Sequence, residues 1–168
     1  MTIKSISIKA IAVSVAISCS LSAVAENVPF KVAVIKGSTA SKELVSGDLE
    51  TSLAQLTSET ENNFEHSTSL CATYLKAKTL DKSEAACTAA IDSIESLHPY
   101  DIKKNYLTSI SYSNRAISRY LNNDFSGAID DLNIATSINA NAITAGNLKL
   151  MKNKMLSLDD SATSLVAD

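Results

Sequence analysis

The 168-residue chain has 15 basic and 18 acidic residues, a net charge of −3 and no basic block, which excludes the electrostatic footprint of a nucleic-acid-binding surface. Its 45% apolar content suffices for one domain with a core, and only 4 glycines and 2 prolines favour helices over sheets.

Residues 1–25 read as a bacterial-type secretory signal peptide. Lys4 and Lys9 flank its start, an apolar run follows from Ala10, and Ala23-Val24-Ala25 offers a small-x-small cleavage pattern before Glu26. A retained anchor is the alternative, but the apolar run is short and broken by serines. Cys19 raises a lipoprotein reading, although Ala16 holds the place where a bulky aliphatic is wanted. Soluble export to the periplasm, with no membrane insertion after cleavage behind Ala25, is the expectation. Next, Phe30 to Gly37 carries the alternating, β-branched pattern of a strand. A lone strand lacks a partner for its backbone, so 26–47 is expected to be an extended N-terminal arm with a short helix from Ser38 to Ser46. Such an arm could pack on the helices or exchange with that of a second copy. Gly47 interrupts, and Asp48 starts a clearer helix with Leu49, Leu53 and Leu56 on one face.

Residues 64–97 hold two helices. Leu70, Cys71, Tyr74 and Leu75 share a face of the first, and Asp81 with Glu84 resembles a capping box for the second, whose apolar face is Ala86, Cys87, Ala90, Ile91 and Ile94. The chain turns at His98-Pro99-Tyr100, because proline disfavours helix at the preceding residue. Asp101 can cap a helix from Ile102 to about Leu121, with Tyr106, Ile110, Ala116, Ile117 and Tyr120 on its stripe. Asn122-Asn123-Asp124 breaks it, and Asp124 can cap a further helix that buries Ala128, Ile129, Leu132, Ala135 and Ile138. Ala142 to Leu156 follows as a helix with Ile143, Leu148, Met151 and Met155 spaced for burial, and 158–168 reads as a disordered tail.

The stretch YSNRAISRYLNNDFSGAIDDLNIATSINAN resembles a tetratricopeptide repeat (TPR). The family's small residue of the first helix falls on Ala116, its turn aromatic on Phe125 and its second-helix alanines on Ala128 and Ala135; Asn139-Ala140 stands where many repeats close with Asp-Pro. Ala86 to Ile91 is similar to a second-helix core, with Cys71 and Ser83 at the small positions. Ala90 then matches Ala135, a wider spacing than the family period of about 34 residues. Gly47-Asp48-Leu49 with Ser52-Leu53 is similar to a turn and second helix, a degenerate opening repeat or cap. The resemblance implies an all-α, TPR-like stack of antiparallel helical hairpins over 48–157, with repeats at about 64–97 and 107–140 and a capping helix at 142–156.

Cys71 and Cys87 are the cysteines left after leader cleavage. They lie on the two arms of one hairpin, nearly symmetric about Thr79, and an oxidising compartment invites a disulfide between them. The alternative is that both are small core residues, since the TPR register leaves them about one turn out of opposition. Glu61, Glu65 and His66 could face a metal ion, or form a solvated helix face. Asp130-Asp131 and Asp159-Asp160 lack ligand spacing, there is no glycine-rich phosphate loop, and no cofactor is expected. In TPR co-chaperones that grip a carboxylate terminus, the asparagine of a Tyr-Ser-Asn-Arg motif contacts the peptide, and Asn114 matches it. The companion basic residues are absent near Ile143 and Asn147, so Asn114 reads as structural or as groove lining. Ile110, Ser113, Ile117, Tyr120 and Leu121 would line the concave side beside it. The expected function is non-enzymatic binding of an unidentified protein or peptide by a monomer or weak dimer. A self-associating envelope component, or a metal-binding or enzymatic protein using Glu61, Glu65 and His66, is the alternative.

Overall fold

Three short polar side chains start helices. Asp48 Oδ1 accepts the N–H of Thr51 at 3.1 Å, Asn63 Oδ1 that of His66 at 3.0 Å and Asp124 Oδ1 that of Gly127 at 2.9 Å. Each occupies a donor that the first turn of a helix leaves open. The computed structural model describes residues 29–59, 63–97 and 103–166, with side chains up to 157 except at 95 and 96. The expected leader with Cys19, together with Glu61 and the junction from His98 to Ile102, lies outside these residues.

Among the described residues the chain is all-helical and has no strand. The elements are α1 (Ser41–Ser46), α2 (Leu49–Ser58), α3 (Phe64–Ala77), α4 (Leu80–Asp92) with a 3₁₀ turn at Ser93–Ser96, α5 (Lys104–Leu121), α6 (Phe125–Ile138) and α7 (Thr144–Val166). Consecutive helices pack on one another, and α5 also touches α3 and α7. Among the described residues no helix is long and apolar enough to cross a membrane.

Several boundaries differ from the sequence expectation. The helix expected to be capped by Asp81 follows Thr79 instead, which leaves Asp81 in its first turn near the positive end of the helix dipole. Helix α7 begins after Asn141, whose Oδ1 accepts the N–H groups of Ile143 (2.9 Å) and Thr144 (3.2 Å). It then continues to Val166, through the stretch from 158 expected to be a loose tail, because no glycine or proline after Gly146 interrupts it.

The connections α1–α2, α3–α4 and α5–α6 share one geometry. Gly47, Lys78 and Asn123 each take a left-handed conformation, with φ of 85°, 56° and 65°. The next N–H returns to the carbonyl five residues back: Asp48 to Glu43, Thr79 to Tyr74, Asp124 to Arg119, all at 2.9 Å. This is the bond of the Schellman ending, which satisfies orphan carbonyls. Each following helix starts two residues past the left-handed one, at Leu49, Leu80 and Phe125. The buried register repeats as well: Ser52, Ser83 and Ala128 hold one equivalent position, and Leu56, Cys87 and Leu132 another, all fully buried. In the preceding helices Cys71 and Ala116 are equivalent and buried, and Ala40, just before α1, is buried at the same offset from its left-handed residue.

Small side chains at these positions let helices approach closely. Ala116 and Ala128 lie in one apolar cluster with Leu132 and Met151. Where serine stands in place of Ala128, its hydroxyl bonds to the helix that follows: Ser52 Oγ of α2 lies 2.9 Å from Thr73 Oγ1 of α3, and Ser83 Oγ of α4 meets Ser118 Oγ of α5. Ala128→Leu is expected to destabilise by about 1–3 kcal/mol through overpacking, lowering Tm by about 2–4 °C per kcal/mol. An unchanged melting temperature would remove Ala128 from the close contact.

Cys71 and Cys87 are joined as a disulfide, with Cα atoms 4.7 Å apart. The misalignment expected from the family register does not arise, because Cys71 and Cys87 hold the positions equivalent to Ala116 and Leu132, which also share a cluster. Closing a loop of 16 residues stabilises by about 3 kcal/mol on the chain-entropy account. Urea unfolding of the Cys71→Ala/Cys87→Ala pair should show a loss of that size, with no further loss on adding reductant.

Candidate functional site: a groove holding the N-terminal arm

The arm from Pro29 to Ile35 has no regular secondary structure and lies across α7, α5 and α3. Two asparagine carboxamides hold its main chain. Asn147 Oδ1 accepts the N–H of Lys31 at 2.9 Å, and its Nδ2 donates to the Lys31 carbonyl at 2.9 Å. Asn114 does the same to Ala33, at 2.8 and 2.9 Å. Alternate residues of an extended chain present their N–H and C=O to the same side, so Lys31 and Ala33 meet the two amides as they would meet a neighbouring strand. The partner that the sequence pattern lacked is therefore supplied by side chains from α5 and α7. Asn147 Nδ2 also donates to Ser113 Oγ at 3.0 Å, which fixes the second carboxamide against α5.

Side chains of the arm anchor it further. The Phe30 ring meets Tyr120 edge-on at 5.1 Å, Tyr120 lies 5.4 Å from Phe125, and Lys154 Nζ sits 6.0 Å over Phe30. Val32 packs on Cys71, Leu75, Cys87 and Ile117. Ala33 is 3% exposed. The arm ends in a turn where Ser38 Oγ donates to the Ile35 carbonyl at 2.8 Å and lies 3.0 Å from Ser69 Oγ on α3.

The residues expected to line a concave side therefore divide. Ile110, Ser113, Asn114 and Ile117 are buried, with Asn114 at 0% exposure and already bonded to the arm. Ile117, Tyr120 and Leu121 border a cleft of about 410 Å³ beside the arm, together with Pro29, Phe30, Val32, Leu75, Lys78 and Lys154. Asn147, 1% exposed, joins Asn114 in holding the arm, although the sequence marks it only as a place where a basic side chain is missing.

The opposite face of α5 is fixed by charge. Arg115 binds Asp131 of α6 in a two-pronged contact, Nε to Oδ2 and Nη2 to Oδ1, both 2.8 Å, and its Nη1 reaches Thr88 of α4 at 3.4 Å. Asp131 Oδ2 also pairs with the charge of Arg119, 3.2 Å from its Nη1, and Arg119 Nε donates to Glu84 at 3.0 Å. Hydrogen bonding to Asp131 raises the Arg115 guanidinium above its ordinary value, against the opposing effect of burial. In the sequence Asp130-Asp131 is only an acidic pair without ligand spacing; the structure exposes Asp130 and buries Asp131.

Of the metal alternative, Glu65 is exposed and His66 Nδ1 lies 3.0 Å from Glu59 Oε2 rather than reaching towards a shared ion. Among the described residues no group of three histidine, cysteine or carboxylate side chains is arranged to hold a metal. Hydrogen bonds from His66 and then Thr39 hold the Glu59 carboxyl below its usual range. A depressed carboxyl stabilises the fold above its unfolded value, and that contribution is lost as pH falls through the folded one. Glu59→Gln should therefore lower the neutral plateau of the Tm–pH profile slightly, leave its acid end unchanged and so flatten the acid limb. Comparison of the chain with family models, curated proteins and solved structures finds no match.

Proposed function

We propose that this chain is an exported, non-enzymatic, TPR-like protein whose groove holds an extended stretch of another protein or peptide. Support for the stack of antiparallel hairpins comes from the three connections with one geometry and one buried register. Export agrees with a core disulfide, which suits an oxidising compartment, and with the leader expected at the N-terminus. The observation that carries the binding role is the pair of buried carboxamides clasping an extended main chain. Contacts of that kind serve extended-peptide recognition, in which backbone bonds give affinity and side-chain pockets give selectivity.

A photocrosslinking residue placed at Leu121, on the rim of the cleft, tests the proposal in cells making the full chain. The expected result is a discrete protein adduct there and none from Ile134, which is exposed on α6. Adducts absent at Leu121 under several growth conditions, or identical at both positions, would overturn it.

A further inference from the structure

We infer that the groove selects peptides in which an aromatic residue is followed by any residue, then an aliphatic and a small one, and that the chain's own arm is the resident competitor. This rests on the peptide-binding reading above and adds the class of ligand. The main-chain bonds at Lys31 and Ala33 carry no sequence information, so selectivity falls to the side chains between and beside them. The first position meets the Tyr120 ring edge-on at 5.1 Å, with the Lys154 ammonium 6.0 Å over its face. Both contacts use the quadrupole of an aromatic ring and give an aliphatic nothing equivalent. The second position, Lys31, is exposed and free in identity. The third packs on the apolar surface of Leu75, Ile117 and the disulfide. The fourth is enclosed to 3% exposure with both backbone groups held, so a side chain larger than alanine would lift the chain off Asn114. Because the aromatic and small sites sit at opposite ends, a reversed chain cannot satisfy both.

The adjoining cleft shows how a foreign ligand could displace a tethered arm. Phe30 borders its space of about 410 Å³, walled by Leu75, Ile117, Tyr120 and Leu121, without filling it. An indole reaches further into such a space than a phenyl ring. Tryptophan at the first position should therefore bind more tightly than phenylalanine.

The test uses the full chain and a fluorescent octapeptide with the sequence of residues 29–36. A tethered segment acts at an effective concentration in the millimolar range, so wild type should bind weakly and the Phe30→Ala variant at least tenfold more tightly. In that variant, alanine at the peptide's aromatic position or leucine at its small position should weaken binding at least tenfold, and tryptophan at the aromatic position should strengthen it. A folded variant that ignores the octapeptide, or binds a scrambled one equally, overturns the inference. Concentration-dependent dimers in the same samples would also overturn it, by giving the groove to a second copy. Should Phe30→Ala fail to fold, side-chain amide signals of Asn114 and Asn147 in wild type must shift with millimolar matched peptide and not with scrambled peptide; no shift overturns the inference. An adduct at Leu121 without octapeptide binding leaves the groove reading standing and removes this ligand. Failure of both removes both.

Discussion

Asn114→Ala is expected to release the arm while leaving the helices folded. The substitution deletes two hydrogen bonds and strands the Ala33 N–H and C=O in a buried position. Leaving each group unpaired costs about 1–3 kcal/mol. The total loss cannot exceed the free energy of docking the arm, because the chain can undock instead and return those groups to water. A fall in stability of about 2–4 kcal/mol is expected, with Tm lower by about 2–4 °C for each kcal/mol. Hydrogen exchange separates this from general destabilisation: the Lys31 and Ala33 amides should lose protection while amides within α4 and α6 keep theirs. Retained protection at Ala33 would mean that Asn114 is not what holds the arm.

Asp131→Ala should have the largest effect on stability of any single charge removal. The Asp131 side chain is 2% exposed and anchors both Arg115 and Arg119. Removing one partner of a buried pair leaves uncompensated charge and typically costs about 3–5 kcal/mol. The contrast is Glu84, whose side chain is 40% exposed where it meets Arg119; Glu84→Gln should cost less than about 1 kcal/mol. Salt distinguishes them too, since screening acts on exposed charges far more than on buried ones. Urea unfolding of both variants at low and high ionic strength checks the pair. Equal losses would mean that Asp131 contributes no more than a surface ion pair.

What could be read from the sequence was local. Helical spacing of Ala116, Ile117, Ala128, Leu132 and Ala135, and capping by Asp48 and Asp124, depend on residues within one or two turns. These features appear in the structure where the spacing puts them. The Cys71–Cys87 pairing was legible as a pair but not in its register, because the family alignment opposed the small residues rather than the positions of Ala116 and Leu132. Hidden from the sequence were contacts between distant residues. Nothing near Asn147 marks it as the binder of Lys31, and nothing near Asp131 marks it as the anchor of Arg115. A signal was present in outline: a strand-like arm with no strand to pair with must find its hydrogen bonds elsewhere. Amide side chains on helices that could face it, at Asn114 and Asn147, were the available donors and acceptors.

The clasp on Lys31 joins residues 116 positions apart. A ribosome adding about 5–20 residues per second needs roughly 6 to 23 seconds after making Lys31 before Asn147 exists. During that interval the beginning of the protein waits for its end, an unattached thread beside a trough whose last wall has yet to be made.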